Sequence, residues 1–142
     1  MPLDLDTART IIANTRESGR ASGFQPLTVV VLDAGAHVVA VEREDGSSNK
    51  RFEIAFAKAN GALAFGIGSR ALMARAETFP SFVAGATSAI GGALIPVPGG
   101  VLVRDADAQI IGAVGISGDN SDNDEAAGIV GNPAHLGGRY GP

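Results

Sequence analysis

The sequence predicts one α/β (α+β) domain in which helices pack on an antiparallel sheet. Three observations lead there. Hairpins rather than crossovers join most of the β-branched and apolar runs, first across an Asp/Gly turn at Asp33 and Gly35 and later across a tight turn at residues 105–107. Around these hairpins the apolar period becomes helical. A chain of 142 residues, 45% of them hydrophobic, has the size and composition for a single core.

Residues 4–21 read as a helix, because Leu5, Ala8, Ile11 and Ile12 recur at helical spacing and Asp4 and Asp6 suit the positive end of its dipole. Pro26 introduces the first strand, LTVVVLDA, and HVVAVEREDG follows as the second. From Arg51 to Phe65 the stripe Phe52, Ala55, Phe56, Ala59 and Leu63 predicts a helix lying on the sheet, ended by Gly66 and Gly68. Ser69 reads as the N-cap of a short helix through Glu77, and Pro80 separates it from a further short segment over residues 81–89. ALIPVP is expected as a strand at an edge or in an irregular segment because of Pro96 and Pro98, followed by a Gly99-Gly100 turn and the strands VLVRD and AQIIGAVGIS. DNSDNDE, residues 119–125, starts a last helix, and the Gly/Pro-rich residues 131–142 read as a tail beyond a domain of residues 1–130.

Composition excludes several functions. A net charge of −4 with no basic stripe, no Trp and one Tyr argues against nucleic acid. No apolar run reaches the roughly 20 residues of a membrane span, and MPLDLDTARTII carries acids where a secretory signal carries bases, so a cytoplasmic location is expected. With no cysteine there is no disulfide or thiolate chemistry. Glycine is in excess, 20 residues, at turns and inside strands, which points to close backbone approach toward neighbouring subunits or a ligand.

Several motifs together carry a family likeness. The hairpin VVVLDAGAHVVAVERED resembles the opening "VVDxGGxLVAxxRMDG" of the GlcG/HbpS (haem-degrading-like) family, also found as the PduO C-terminal domain. Ala57-Lys58-Ala59, Phe65-Gly66, the Pro98-Gly99-Gly100 turn, and IIGAVGISG followed by Asp124-Glu125 occur in the family's order, over roughly residues 5–130. The resemblance implies a profilin-like antiparallel sheet flanked by helices and dimers that assemble into rings, often octamers. It also implies a cofactor-like ligand such as haem. This chain departs from the pattern in the short segment after Glu125 and in Val101-Leu102 where relatives have "GGxP".

The residues offer a limited set of candidates. Lys58 projects about 110° from the centre of the helix stripe, with Arg51 on the same side and only Ala55 and Ala62 between them. A carboxylate or propionate could dock on that cationic ridge, or the two could be solvated, or Lys58 could pair with an acid such as Glu125. Asp124 and Glu125 in the first turn of the last helix read as capping acids, or as a general base or metal-ligand pair. The segment lacks the spacing of a calcium loop, and no trio has metal-site spacing. His37 opens a strand, inert or an axial haem ligand or proton shuttle, and Arg43, Gly99 and Gly100 complete the ligand-binding candidates; His135 lies in the tail.

Two functions follow. The first is a homo-oligomer, even-numbered up to an octamer, that binds a small molecule, haem or a related cofactor, at a subunit interface. The second is a small enzyme acting on a carboxylate- or carbonyl-bearing metabolite, with Lys58 and Arg51 holding the anion and Glu125 or Asp124 as acid/base. In either case Lys58→Ala is expected to weaken ligand binding and to leave stability near wild type.

Overall fold

A computed structural model of the chain describes residues 2–132. Its elements are α1 (Leu5–Ala21), β1 (Thr28–Asp33), β2 (Val38–Arg43), α2 (Arg51–Phe65), α3 (Ser69–Thr78), α4 (Pro80–Ala89), β3 (Gly100–Arg104), β4 (Ile110–Ser117) and α5 (Ser121–Gly131). The four strands form one antiparallel sheet in the order β2-β1-β4-β3, a single α+β domain as the hairpin reading requires.

Alternation along the strands divides the apolar residues between two cores. Val29 and Val31 of β1, Val101 and Val103 of β3, and Val114 and Ile116 of β4 pack with Ile11 and Ile12 of α1 and Ala127 of α5. Val30, Leu32, Leu102 and Ala113 face the other way, onto Ala55, Ala59 and Ala62 of α2. Residues one apart on a strand point to opposite faces, so a strand that is apolar at every position is a sheet covered on both sides. The continuous VVVL run is explained by that burial.

Local chemistry sets the ends. Asp4 caps α1 by accepting the Thr7 N–H at 2.8 Å, and Gly66 closes α2 in the left-handed region at φ 68°. Pro80 occupies the first turn of α4, where its missing N–H is harmless. Two expectations change. ALIPVP is not a strand; Pro96 and Pro98 remove ladder donors, and the segment instead crosses α2, with the Ile95 N–H reaching the Ala57 carbonyl at 3.4 Å. Gly68, not Ser69, is the N-cap of α3, because the buried Ser69 hydroxyl is engaged elsewhere, with Gly100. Of the tail, Gly131 ends α5 and Asn132 follows it; residues 133–142, including His135, lie outside the described residues.

The two hairpins use the same turn twice. In Asp33-Ala-Gly-Ala-His37 and Asp105-Ala-Asp-Ala-Gln109 the fourth-residue N–H returns to the aspartate carbonyl, and the aspartate N–H bonds the fifth residue's carbonyl. Each aspartate Oδ1 accepts the N–H groups two and four residues on. Ala36 and Ala108 sit at φ 64° and 61°, and each hairpin has a register shift beside its turn. This is a type I turn closed by a left-handed bulge residue, a position glycine fills with less strain than alanine. Ala36→Gly is therefore expected to raise stability by about 0.5–1 kcal/mol, read as a higher urea midpoint at unchanged slope.

Candidate functional site

Among the described residues, all the candidates except His37 gather at one end of the sheet, where β1 begins and β4 ends. Thr28 pairs with Arg43 on one side and with Ser117 on the other, so three strands deliver polar groups to the same edge.

Lys58 lies within the fold rather than on an open ridge. Its residue is 2% exposed, and its Nζ donates to the Ile116 carbonyl at 2.9 Å and to Asp124 Oδ2 at 3.2 Å. Asp124, 1% exposed, uses Oδ1 to accept the Asp119 N–H at 2.9 Å. The acid that pairs with Lys58 is thus Asp124, and Asp124 does not cap its helix; the Asn120 side chain does, accepting from the Asn123 N–H. Burial pushes the Asp124 carboxyl up and the Lys58 ammonium down, each opposed by the partner's charge.

Gly99 and Gly100 close over this pair. A Cβ on Gly99 would stand 2.8 Å from Lys58 Nζ, and one on Gly100 would stand 2.3 Å from the Lys58 carbonyl oxygen. The Gly100 N–H also donates to the buried Ser69 hydroxyl at 2.6 Å. The turn therefore packs on α2 of its own chain, an approach that the glycine excess announced without naming its target.

Glu125 belongs to a neighbouring group. Its Oε1 accepts from Arg70 Nε at 2.9 Å, Arg70 also holds Asp122, and Glu125 Oε2 is buried without a hydrogen-bond partner among the described residues. Nothing in the sequence signals Arg70, because its partners lie more than 50 residues away on α5. Asp119 is fixed nearby by the Gln25 N–H, then by Asn120 and Asn123, and these bonds hold its carboxyl below the usual range.

The arginines face a different environment. Arg51 donates from Nη1 to the buried Ser117 hydroxyl and from Nε to the Ser48 hydroxyl, both at 3.1 Å. Arg43 Nη1 donates to the Ser47 carbonyl at 2.9 Å, and the Ser47 hydroxyl is 2.8 Å from that of Thr28. Both guanidinium groups are anchored on adjacent loop residues, and neither forms an ion pair with a carboxylate among the described residues. His37 stands at the far end of β1, beside Asp33, about 17 Å away for five residues of strand.

No helix among the described residues is long and apolar enough to cross a membrane. Large apolar side chains are nevertheless exposed on the helices, among them Phe79 at 61% and Phe82 at 54%, together with Ile129 and Val130.

A small two-core α+β domain, with a buried lysine–aspartate pair and, at one sheet end, two arginines that pair with no carboxylate among the described residues, has the makings of a ligand-binding module. The chain belongs to the HbpS-like haem degrading protein family, whose model matches residues 3–131. Its fold is similar to that of HbpS, at TM-score 0.82 and 24% identity over 96% of this chain and 92% of that one. It is also similar to PduOC in a complex with heme (TM-score 0.83, 20% identity, 99% of this chain and 98% of that one). A third likeness is to protein ORFY of Klebsiella pneumoniae, at TM-score 0.80 and 22% identity, covering 89% of this chain and 86% of that one. Comparison with curated proteins gives no significant match.

Proposed function

We propose that this protein is a homo-oligomer that binds a small carboxylate-bearing ligand, haem or a related tetrapyrrole, at a subunit interface. The observation that carries the reading is the pair Arg43 and Arg51, held on Ser47, Ser48 and Ser117 with no carboxylate among the described residues to neutralise them. A guanidinium held by neutral partners and without a counter-ion is a ready donor for a propionate or other carboxylate. The family and the heme complex of PduOC support the choice of ligand. The exposed Phe79, Phe82, Ile129 and Val130 support assembly, since large apolar side chains in water favour burial by a second copy.

Haem presents two propionates and an iron, and the residues of one protomer suit the first better than the second. The arginines fit the carboxylates. An iron ligand beside them does not follow, because His37, the one histidine among the described residues, is about 17 Å from Ser117. A binding mode carried by the carboxylates needs no metal. Protoporphyrin IX and hemin are then expected to bind with similar affinity in absorbance titrations. Arg51→Ala should weaken both by about ten- to hundredfold while Tm stays near wild type, the scale of one charge-assisted contact of about 1.5–3 kcal/mol. Unchanged affinity in Arg51→Ala, or in Arg43→Ala, removes the proposal.

The enzyme reading keeps one observation in its favour, the buried Glu125 Oε2 without a hydrogen-bond partner among the described residues. Glu125→Gln separates the two. It lowers turnover by about 10²–10⁴-fold if this carboxyl is the acid/base, with Asp124 and Lys58 as its neighbours, and leaves porphyrin binding near wild type if it is not.

A further inference from the structure

The last rung of the sheet breaks the apolar pattern of the face beneath α2. On that face β1 carries Leu32, Val30 and then Thr28, and β4 carries Ala113, Gly115 and then Ser117. Thr28 and Ser117 are cross-strand partners, and Arg43 of β2 partners Thr28 on its other side. The row of Arg43, Thr28 and Ser117 therefore lies under the first turn of α2, where Arg51 reaches Ser117 and Ala55 is seated on Gly115. Thr28 and Ser117 are both 0% exposed, at positions where the alternation calls for apolar side chains. A hydroxyl buried there costs stability unless a hydrogen bond satisfies it.

Both hydroxyls are satisfied by groups that hold the arginines. Thr28 Oγ1 is 2.8 Å from the Ser47 hydroxyl, a buried contact, and the Ser47 carbonyl accepts from Arg43 Nη1 at 2.9 Å. Ser117, across the rung, accepts from Arg51 Nη1 at 3.1 Å. Thr28 thus joins the two anchors: it bonds the loop residue that holds one guanidinium and pairs with the strand residue that holds the other. The pleat turns the nearest strand acids away from the row. Glu42 and Glu44 flank Arg43 in sequence but point to the α1 face, where Arg16 bonds both.

We propose that Thr28 is a positioning residue of the arginine site, fixing Arg43 relative to Arg51 through the Ser47 hydroxyl and the shared rung. Its part in binding rests on the ligand reading above, whereas its hold on the guanidinium does not. A β-branched side chain has few χ1 rotamers, so the threonine hydroxyl is aimed at Ser47 before a ligand arrives. Guanidinium groups set in advance lose little freedom on meeting a carboxylate, and that saving appears as affinity. Without the bond the Ser47 hydroxyl loses its partner, and the loop that carries the Arg43 anchor is free to shift.

The test compares Thr28→Val, which keeps the branched shape and removes the hydroxyl, with Thr28→Ser, which keeps the hydroxyl and removes a buried methyl. Each full-length variant is titrated with protoporphyrin IX, melted, and read without ligand through the arginine Nε–H resonances in ¹⁵N-resolved NMR. Thr28→Val is expected to bind about three- to tenfold more weakly than wild type and to shift or broaden the Arg43 resonance. Thr28→Ser should melt lower than wild type, yet bind near wild-type affinity with the Arg43 resonance unmoved. Affinity that follows Tm in both variants would overturn the proposal, because the threonine would then serve packing alone. So would an unchanged Arg43 resonance in Thr28→Val. If Thr28→Val does not fold, Ser47→Ala removes the same bond from the loop side while keeping the carbonyl, and wild-type behaviour there is equally decisive. Arg51→Ala is titrated alongside. If it binds like wild type, the porphyrin reading has failed, and the Arg43 resonance alone decides the positioning.

Discussion

Lys58→Met alone is expected to destabilise the fold by about 3–5 kcal/mol, because it strands the Asp124 carboxylate in a site that is 1% exposed. The methionine replaces the aliphatic stem well, so the loss measures the unpaired charge rather than a cavity. The double variant Lys58→Met/Asp124→Asn removes both charges and lets the amide oxygen still accept the Asp119 N–H. It should recover more than half of the loss, giving a large coupling energy in a double-mutant cycle by urea unfolding. Equal instability of the single and double variants would mean that packing, not charge, holds this site together. A loss of this size also reverses the expectation raised from the sequence, where Lys58→Ala was to change binding and spare stability.

The sign of the pH dependence follows from the raised Asp124 carboxyl. A folded state that binds the proton more readily than the unfolded chain gains stability as pH falls, and loses it as pH rises through the raised value. Removing Lys58 deletes a charge that opposes this shift, so the Lys58→Met deficit should shrink as pH falls from neutral toward the ordinary aspartate range. Asp33 and Asp119 act oppositely. Their lowered carboxyls contribute stability above the ordinary aspartate range that is lost as pH falls through their folded values. Wild type should therefore lose stability in acid, while Lys58→Met first recovers part of its deficit.

Much of the fold was legible because local patterns decided it. The β-branched run at Val29–Val31, the Asp/Gly turn and the alanine-rich stripe of α2 each have one physical solution, and α2 runs over the expected residues. ALIPVP was harder, since apolar residues flanked by glycine suit either a strand or a buried crossing, and only the tertiary position over α2 decides between them. The site was legible as a set of residues and not as partnerships. Helical geometry placed Lys58 beside the stripe, but its burial depends on the Gly99-Gly100 turn and on Asp124, 66 residues away in the chain. Arg70 could not be found at all, because an arginine opening a short helix looks like any solvated one. The Gly99-Gly100 motif, which read as a turn signal, proved also to be a contact surface for α2.

Gly115→Ala should be the most damaging single methyl addition in the sheet, with an expected loss of about 3 kcal/mol or more. A Cβ at Gly115 would stand 2.0 Å from the Ala55 carbonyl oxygen and 3.1 Å from the Ala59 Cβ. The first obstacle is helix backbone, which cannot rotate aside as the end of a long side chain can, so α2 must lift from β4 along its length. Lifting α2 also disturbs the contacts of Val30, Leu32 and Ala113 with Ala55, Ala59 and Ala62. It further moves Lys58 relative to Ile116 and Asp124, so the defect spreads from packing to the buried ion pair. Gly85→Ala is the control for the chemistry of the substitution itself. Gly85 lies inside α4 with nothing within 4 Å of an added Cβ, so alanine there should stabilise by about 0.5–1 kcal/mol through helix propensity. Urea unfolding of the two variants should show midpoints displaced in opposite directions. If Gly115→Ala moves the midpoint no more than Gly85→Ala does, α2 is not seated on β4 as closely as 2.0 Å implies, and the account of why this sheet is glycine-rich fails with it.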